Sequence, residues 1–216
     1  MLRIIKKTFL FPIGLVLLRV WTLSHCPFRF GYSYEDKSIL GPIPSSTETI
    51  LDDGSCVISA KVQPGDILLV RGNTWIDKII RIITGSPYTH VAGVVNLDEA
   101  VDILPFKRTG FQKLRSYTGH ADIFTCKDLT DEQRRKIVEH IVNKIGTKYD
   151  YKLVLWEASR YLLHWKWAYK AGNNILCSTL WAEAYRKAGV NLCPDILFPS
   201  PGDLGNATIL QKVESY

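Results

Sequence analysis

From residue 62 onward, the apolar and polar positions fall into short strands followed by longer helices. Gln63-Pro64-Gly65-Asp66 leads into the unbroken apolar run Ile67 to Val70, which reads as a buried strand after a turn. Between Thr74 and Ile83 the apolar residues Trp75, Ile76, Ile79, Ile80, Ile82 and Ile83 recur at helical spacing, and Gly85 closes the segment. Strands are expected at about 89–95 and 100–104, joined in hairpin fashion by Asn96-Leu97-Asp98-Glu99. His120 to Cys126 is a further strand candidate, followed in strength by Phe106 to Leu114.

The second half is helical. Thr130 and Gln133 have capping-box spacing, and Ile137, Val138, Ile141, Val142 and Ile145 supply a buried stripe that Gly146 ends. Asp150 to Trp167 is a second helical segment, rich in Trp and Tyr. In a third, Leu180, Trp181, Ala184, Tyr185 and Ala188 share a face with Cys177, and Gly189 stops it. Strands in antiparallel sequence followed by helices imply an α+β domain, a sheet packed against helices. No internal repeat or low-complexity tract interrupts it.

Residues 1–61 break this pattern. Met1-Leu2-Arg3-Ile4-Ile5-Lys6-Lys7 is basic and Thr8 to Leu18 nearly all apolar, so residues 1–26 read as a hydrophobic arm resembling the first regions of a signal peptide or an anchor. The run is short for a membrane span and carries Pro12 and Arg19. Leu23-Ser24-His25-Cys26 resembles a lipoprotein cleavage box with histidine where a small residue is expected. Pro27, Pro42, Pro44 and Asp52-Asp53-Gly54 mark 27–61 as a connector, leaving 62–216 as one folded domain.

A net charge of +6 suits an anionic membrane surface or an acidic polymer, but Lys and Arg are spread along the chain and no nucleic-acid motif accompanies them, so nucleic acid is not the expected partner. The five cysteines (26, 56, 126, 177, 193) include no C-x-x-C pair and no histidine at zinc spacing; neither a metal site nor a cofactor is expected.

Cys177 opens an amphipathic helix, where unpaired amides and the helix dipole favour a thiolate. His90 heads an apolar strand, and Asp102 lies on the next. Cysteine, histidine and carboxylate are the parts of an activated thiol nucleophile, although a buried cysteine and a satisfied core histidine would produce the same positions. Glu99, in the turn, is the alternative carboxylate. An acyl-transfer site also needs oxyanion donors, for which the amide of Cys177 or Ser178 and the hydroxyls of Tyr88 and Tyr149 are candidates. Tyr88, Tyr149, Trp156 and Trp181 are candidate groove walls.

Gly65-Asp66-Ile67-Leu68-Leu69, Ser86-Pro87-Tyr88-Thr89-His90-Val91, Gly146-Thr147-Lys148-Tyr149-Asp150 and Cys177-Ser178-Thr179-Leu180-Trp181 resemble, in this order, the motifs of the circularly permuted NlpC-type cysteine hydrolases, the YiiX/YebB-like group. Similar permuted sequences occur in lecithin:retinol acyltransferase-like proteins. The resemblance covers roughly residues 62 to 213 and implies a permuted papain-like fold with histidine preceding cysteine. It also implies Cys177 as nucleophile, His90 as base and Asp102, where the family often carries glutamate, as the group that orients the ring. The implied substrate is an amide bond in peptidoglycan peptides, at a cell envelope or within a phage particle, with the arm holding a membrane or virion partner. The acyltransferase branch, acting on lipid esters or amides, usually has a second histidine in place of Asp102. A non-catalytic virion protein retaining the fold is the third reading.

Overall fold

The computed structural model describes residues 62–163, 168–170 and 172–216, so the arm, the connector, Cys26 and Cys56 lie outside the described residues. The first element is β1 (Ile67–Val70), followed by α1 (Trp75–Thr84), β2 (His90–Val94), β3 (Glu99–Asp102) and β4 (Gly110–Lys113). A 3-10 turn (Leu114–Tyr117) leads to β5 (Ala121–Cys126). Then come α2 (Asp131–Val142), α3 (Tyr151–Leu163), α4 (Cys177–Lys187), α5 (Pro201–Gly205) and β6 (Leu210–Ser215). The six strands form one antiparallel sheet in the order β4-β3-β2-β1-β5-β6. This is the α+β architecture that the alternation of segments implies.

The four consecutive apolar residues of β1 make sense in this sheet because both faces are covered. Ile67 and Leu69 join Val91, Val101 and Phe124 against α2 and α4, whereas Leu68 and Val70 join Ala92, Ala100, Ile123, Leu114 and Tyr117 on the other side. Alternate side chains of a strand point to opposite faces, so a strand covered on both sides reads as a continuous apolar run. Gly65 enters β1 with φ of 92°. That turn puts Asp66 wholly inside, where its carboxylate accepts from the Gln63 amide (2.8 Å), the Thr125 hydroxyl (2.7 Å) and Arg134 Nη1 of α2 (2.9 Å). Arg134 Nη1 also donates to the Pro64 carbonyl, and Tyr185 of α4 donates to the Gly65 carbonyl at 2.7 Å. The Gly-Asp motif is thus a knot that fastens α2 and α4 to the start of β1.

Several elements differ from the pattern read in the sequence. The helix after Thr130 ends at Val142, and the stretch to Gly146 is made of turns. The strand at 100–104 runs instead over 99–102, and Phe106 to Leu114 resolves into a loop and β4. The helix from Asp150 is described only to Leu163, since 164–167 lie outside the described residues. β6 has no counterpart in the reading because it is an edge strand with four of its six residues exposed, too polar to register as a strand.

Candidate active site

Three local features place the polar groups. His90 is the first residue of β2, where the strand emerges from the sheet. Ala92 lies directly opposite Asp102 in the β2–β3 ladder, so His90, two residues earlier, is on the same side of the sheet as Asp102 and diagonal to it. Cys177 is the first residue of α4, after Leu176 at the N-cap. A leucine there offers no oxygen to the first amides, and Thr179 Oγ1 instead takes the amide of Leu176 itself at 3.0 Å. The amides of the first turn are left for the sulfur. The segment before Cys177 is pinned by the Gly146–Asp150 motif: the Asp150 amide donates to Ile175 O and the Ile175 amide to Lys148 O, both at 3.0 Å.

The His90 ring joins the three groups. Its Nε2 lies 3.1 Å from Asp102 Oδ2, which leaves Nδ1 as the nitrogen available to the thiol. The Tyr117 hydroxyl donates to the same Oδ2 at 2.7 Å from the opposite layer of the core. Burial alone would push the Cys177 thiol up; the charge of the His90 ring, its hydrogen bond, and the amides of Val91 and Ser178 outweigh it and hold the thiol below its usual range. The converse holds for His90. Burial disfavours the charged ring, yet the Cys177 thiolate and the Asp102 hydrogen bond raise its pKa to about 10. A thiolate–imidazolium pair is the state these neighbours favour. The pair is largely covered, Cys177 being 7% exposed.

The distance between helix and strand depends on a glycine. Gly93, on the helix-facing side of β2, lies under the Trp181 indole, and a Cβ there would approach Trp181 to 2.4 Å. Trp181 is therefore fully buried, with Nε1 donating to Val101 O at 3.3 Å; it is core rather than groove wall, because helix spacing alone cannot tell which apolar residues face the sheet.

Of the other candidates, Tyr149 lies near the thiol, whose charge contributes to raising its pKa after burial does, and its ring packs on Tyr151 at 5.1 Å between centroids. Tyr88 turns elsewhere: its hydroxyl donates to Asp122 at 2.7 Å, in an ionic cluster with Arg71 and Lys212, so it is not an oxyanion donor. Ser178 is buried and contributes its amide to the sulfur. Glu99 accepts from Asn96 Nδ2 at 3.0 Å and faces Lys113, away from the ring. Trp156 belongs to an aromatic cluster with Tyr169 and Phe198.

Two residues near the site escaped the sequence reading. Tyr117 backs Asp102 from a 3-10 turn that has no pattern of its own. Glu157 of α3 has its Oε1 buried without a hydrogen-bond partner. Burial, then the charge of Cys177, raise its pKa well above that of an ordinary carboxyl, which favours the neutral form. Its spacing from Leu153 and Arg160 on the inner face of α3 was the available signal.

No family model and no curated protein sequence matches this chain. Among solved structures, it is similar to the crystal structure of the metalloprotein YiiX from Escherichia coli, with a TM-score of 0.54 and 18% identity, over 72% of this chain and 98% of that one. The chain has a YiiX-like fold. At that identity the likeness concerns the fold alone.

Proposed function

We propose that this chain is a thiol hydrolase that cleaves an amide bond through a thioester on Cys177, with peptidoglycan peptides as substrate. The observation that carries the reading is the continuous line Cys177, His90, Asp102, Tyr117, in which the ring stands between thiol and carboxylate and the Tyr117 hydroxyl donates to that same carboxylate. The thiolate attacks the carbonyl carbon, a C–S bond forms, the sulfur loses its charge, and the oxygen takes it beside the amides at the start of α4. As the C–N bond breaks, the His90 imidazolium gives its proton to the leaving nitrogen. A water then attacks the thioester, His90 takes its proton, and the acid and the thiol are released. Asp102 holds the ring, and Tyr117 holds Asp102.

YiiX is described as a metalloprotein. Among the described residues of this chain, no group of three His, Cys, Asp or Glu side chains could hold a metal ion. The imidazole stands between sulfur and carboxylate, so these donors do not surround a common centre, and the proposed steps use the chain's own proton donors and acceptors.

The resemblance suggests a cell envelope or a phage particle as the site of action, with residues 1–26 as the proposed attachment. A second reading, hydrolysis or transfer of a lipid acyl group by the same nucleophile, is favoured by one observation: α1 and α3 carry large exposed apolar side chains. Incubation with purified peptidoglycan and, separately, with phospholipid vesicles, followed by mass analysis, tests the proposal. Cleaved muropeptides with the native chain and none with Cys177→Ala are expected. Fatty-acid release with intact muropeptides would overturn the amide reading, and inertness toward both would favour a structural role.

A further inference from the structure

Helix α1 has no buried residue, yet most of its residues are apolar. Trp75 is 52% exposed, Ile79 40% and Ile82 82%, and with Ile76 they form one stripe along the helix. It packs beside α3, whose Tyr151, Val154, Leu155 and Leu162 make a second exposed stripe. The inner face of α3 is occupied otherwise, by Leu153, by Glu157 toward the thiol, and by Arg160 paired with Asp203 at 2.8 Å. An apolar surface of this kind on a folded domain marks a contact with something else.

The charges beside the stripes indicate what that is. Lys78 and Lys152 are exposed and Arg81 is half-buried. The acids are turned away: Asp77, the one acid of α1, accepts from the Thr74 amide at 2.9 Å and caps its own helix, and Glu157 lies inward. The outward surface therefore carries cations and apolar groups without acids. A two-fold contact with a second copy of the chain would bring together two faces that carry Lys78, Arg81 and Lys152 and no outward acid, which like charges oppose. An anionic lipid surface satisfies both features, since isoleucines and tryptophan enter the acyl boundary while lysine and arginine meet phosphates. Among the described residues no helix is long and apolar enough to cross a membrane, so the fitting geometry is a helix lying in the interface.

We propose that α1, with the outer stripe of α3, is a docking surface for anionic phospholipid, independent of the amino-terminal arm and of the reaction at Cys177.

The test is flotation of the full chain with vesicles of phosphatidylglycerol and phosphatidylcholine, and with phosphatidylcholine alone. Ile79→Glu/Ile82→Glu should lower partitioning at least about tenfold. Lys78→Glu/Arg81→Glu should remove the preference for anionic vesicles, and the thermal melt should remain that of the native chain in both. Leu15→Glu/Leu18→Glu serves as the matched change in the arm. If that change abolishes flotation while the α1 variants float like the native chain, the proposal is overturned. It is equally overturned if the native chain fails to float and sediments as a dimer that the α1 variants dissociate. Should the double change disturb the melt, Ile82→Ser alters only an exposed position; a several-fold loss supports the surface, and unchanged flotation refutes it.

Discussion

Two of the buried charged centres among the described residues are completed to different degrees. Around Asp66 the groups close on one another: the carboxylate takes an amide, a hydroxyl and a guanidinium, and Arg134 gives its remaining donors to Pro64 O and Thr125. Around Cys177, although it is largely covered, the polar groups do not all close on one another. The sulfur faces a histidine and two amides, while the nearby carboxyl oxygen of Glu157 has no partner at all. A closed centre fixes the fold and has nothing left to offer a substrate. An open one leaves donors and acceptors unfilled at a cost in stability, which is the condition for chemistry.

Substitutions should separate the two centres cleanly. On the proposed mechanism, Cys177→Ala and His90→Ala remove turnover altogether while the melting temperature stays near that of the native chain. Asp102→Asn should retain a remnant, with kcat lower by roughly 10²–10⁴, because the carboxylate orients the ring without reacting. Arg134→Ala should do the reverse. It leaves Asp66 buried without its counter-charge and should cost about 3–5 kcal/mol in denaturant unfolding, with the chemistry of the surviving folded fraction intact.

A subtler contrast lies in pH. Iodoacetamide labelling followed by peptide mapping should find Cys177 reactive at neutral pH and below its ordinary thiol range, whereas Cys126 and Cys193, both raised by burial, react only under alkaline conditions, Cys193 being pushed up to about 11. Turnover should fall on the acid side as the thiolate is protonated, and on the alkaline side near pH 10, where His90 loses its proton. If Cys177 labels no faster than Cys193 at neutral pH, the ion pair is not formed.

The smallest effect concerns Glu157. Its carboxyl is raised in the folded state, so its contribution to stability is complete below the unfolded pKa and is lost as pH rises toward the folded value. Glu157→Gln cannot ionise, and relative to the native chain it should gain stability as pH is raised from acid to mildly alkaline. Parallel pH–melting curves for the two proteins would contradict the raised carboxyl.

Legibility in the sequence followed the range of the interactions. β1, β2, β5 and α4 could be read because their apolar patterns are local, and the nearness of His90 to Asp102 because a short hairpin pairs their strands. Tyr117 could not be read as the partner of Asp102, since the contact depends on how a 3-10 turn folds over the second face of the sheet. Glu157 was lost among aromatics in a segment read as a groove wall. In α1 the stripe was legible but not what covers it: periodicity reports that a helix has an apolar side, and only the packed structure tells whether that side meets the core or solvent.

Gly93 controls more than a close contact. The Trp181 ring rests where a side chain at position 93 would be, and Trp181 sits one helical turn beyond Cys177, so α4 is seated on β2 at a height fixed by a hydrogen atom. A methyl group there would act as a shim, tilting the helix and widening the gap between sulfur and imidazole before it threatened the core as a whole. On the proposed mechanism the spacing of nucleophile and base thus depends on position 93, and one added carbon there would disturb it.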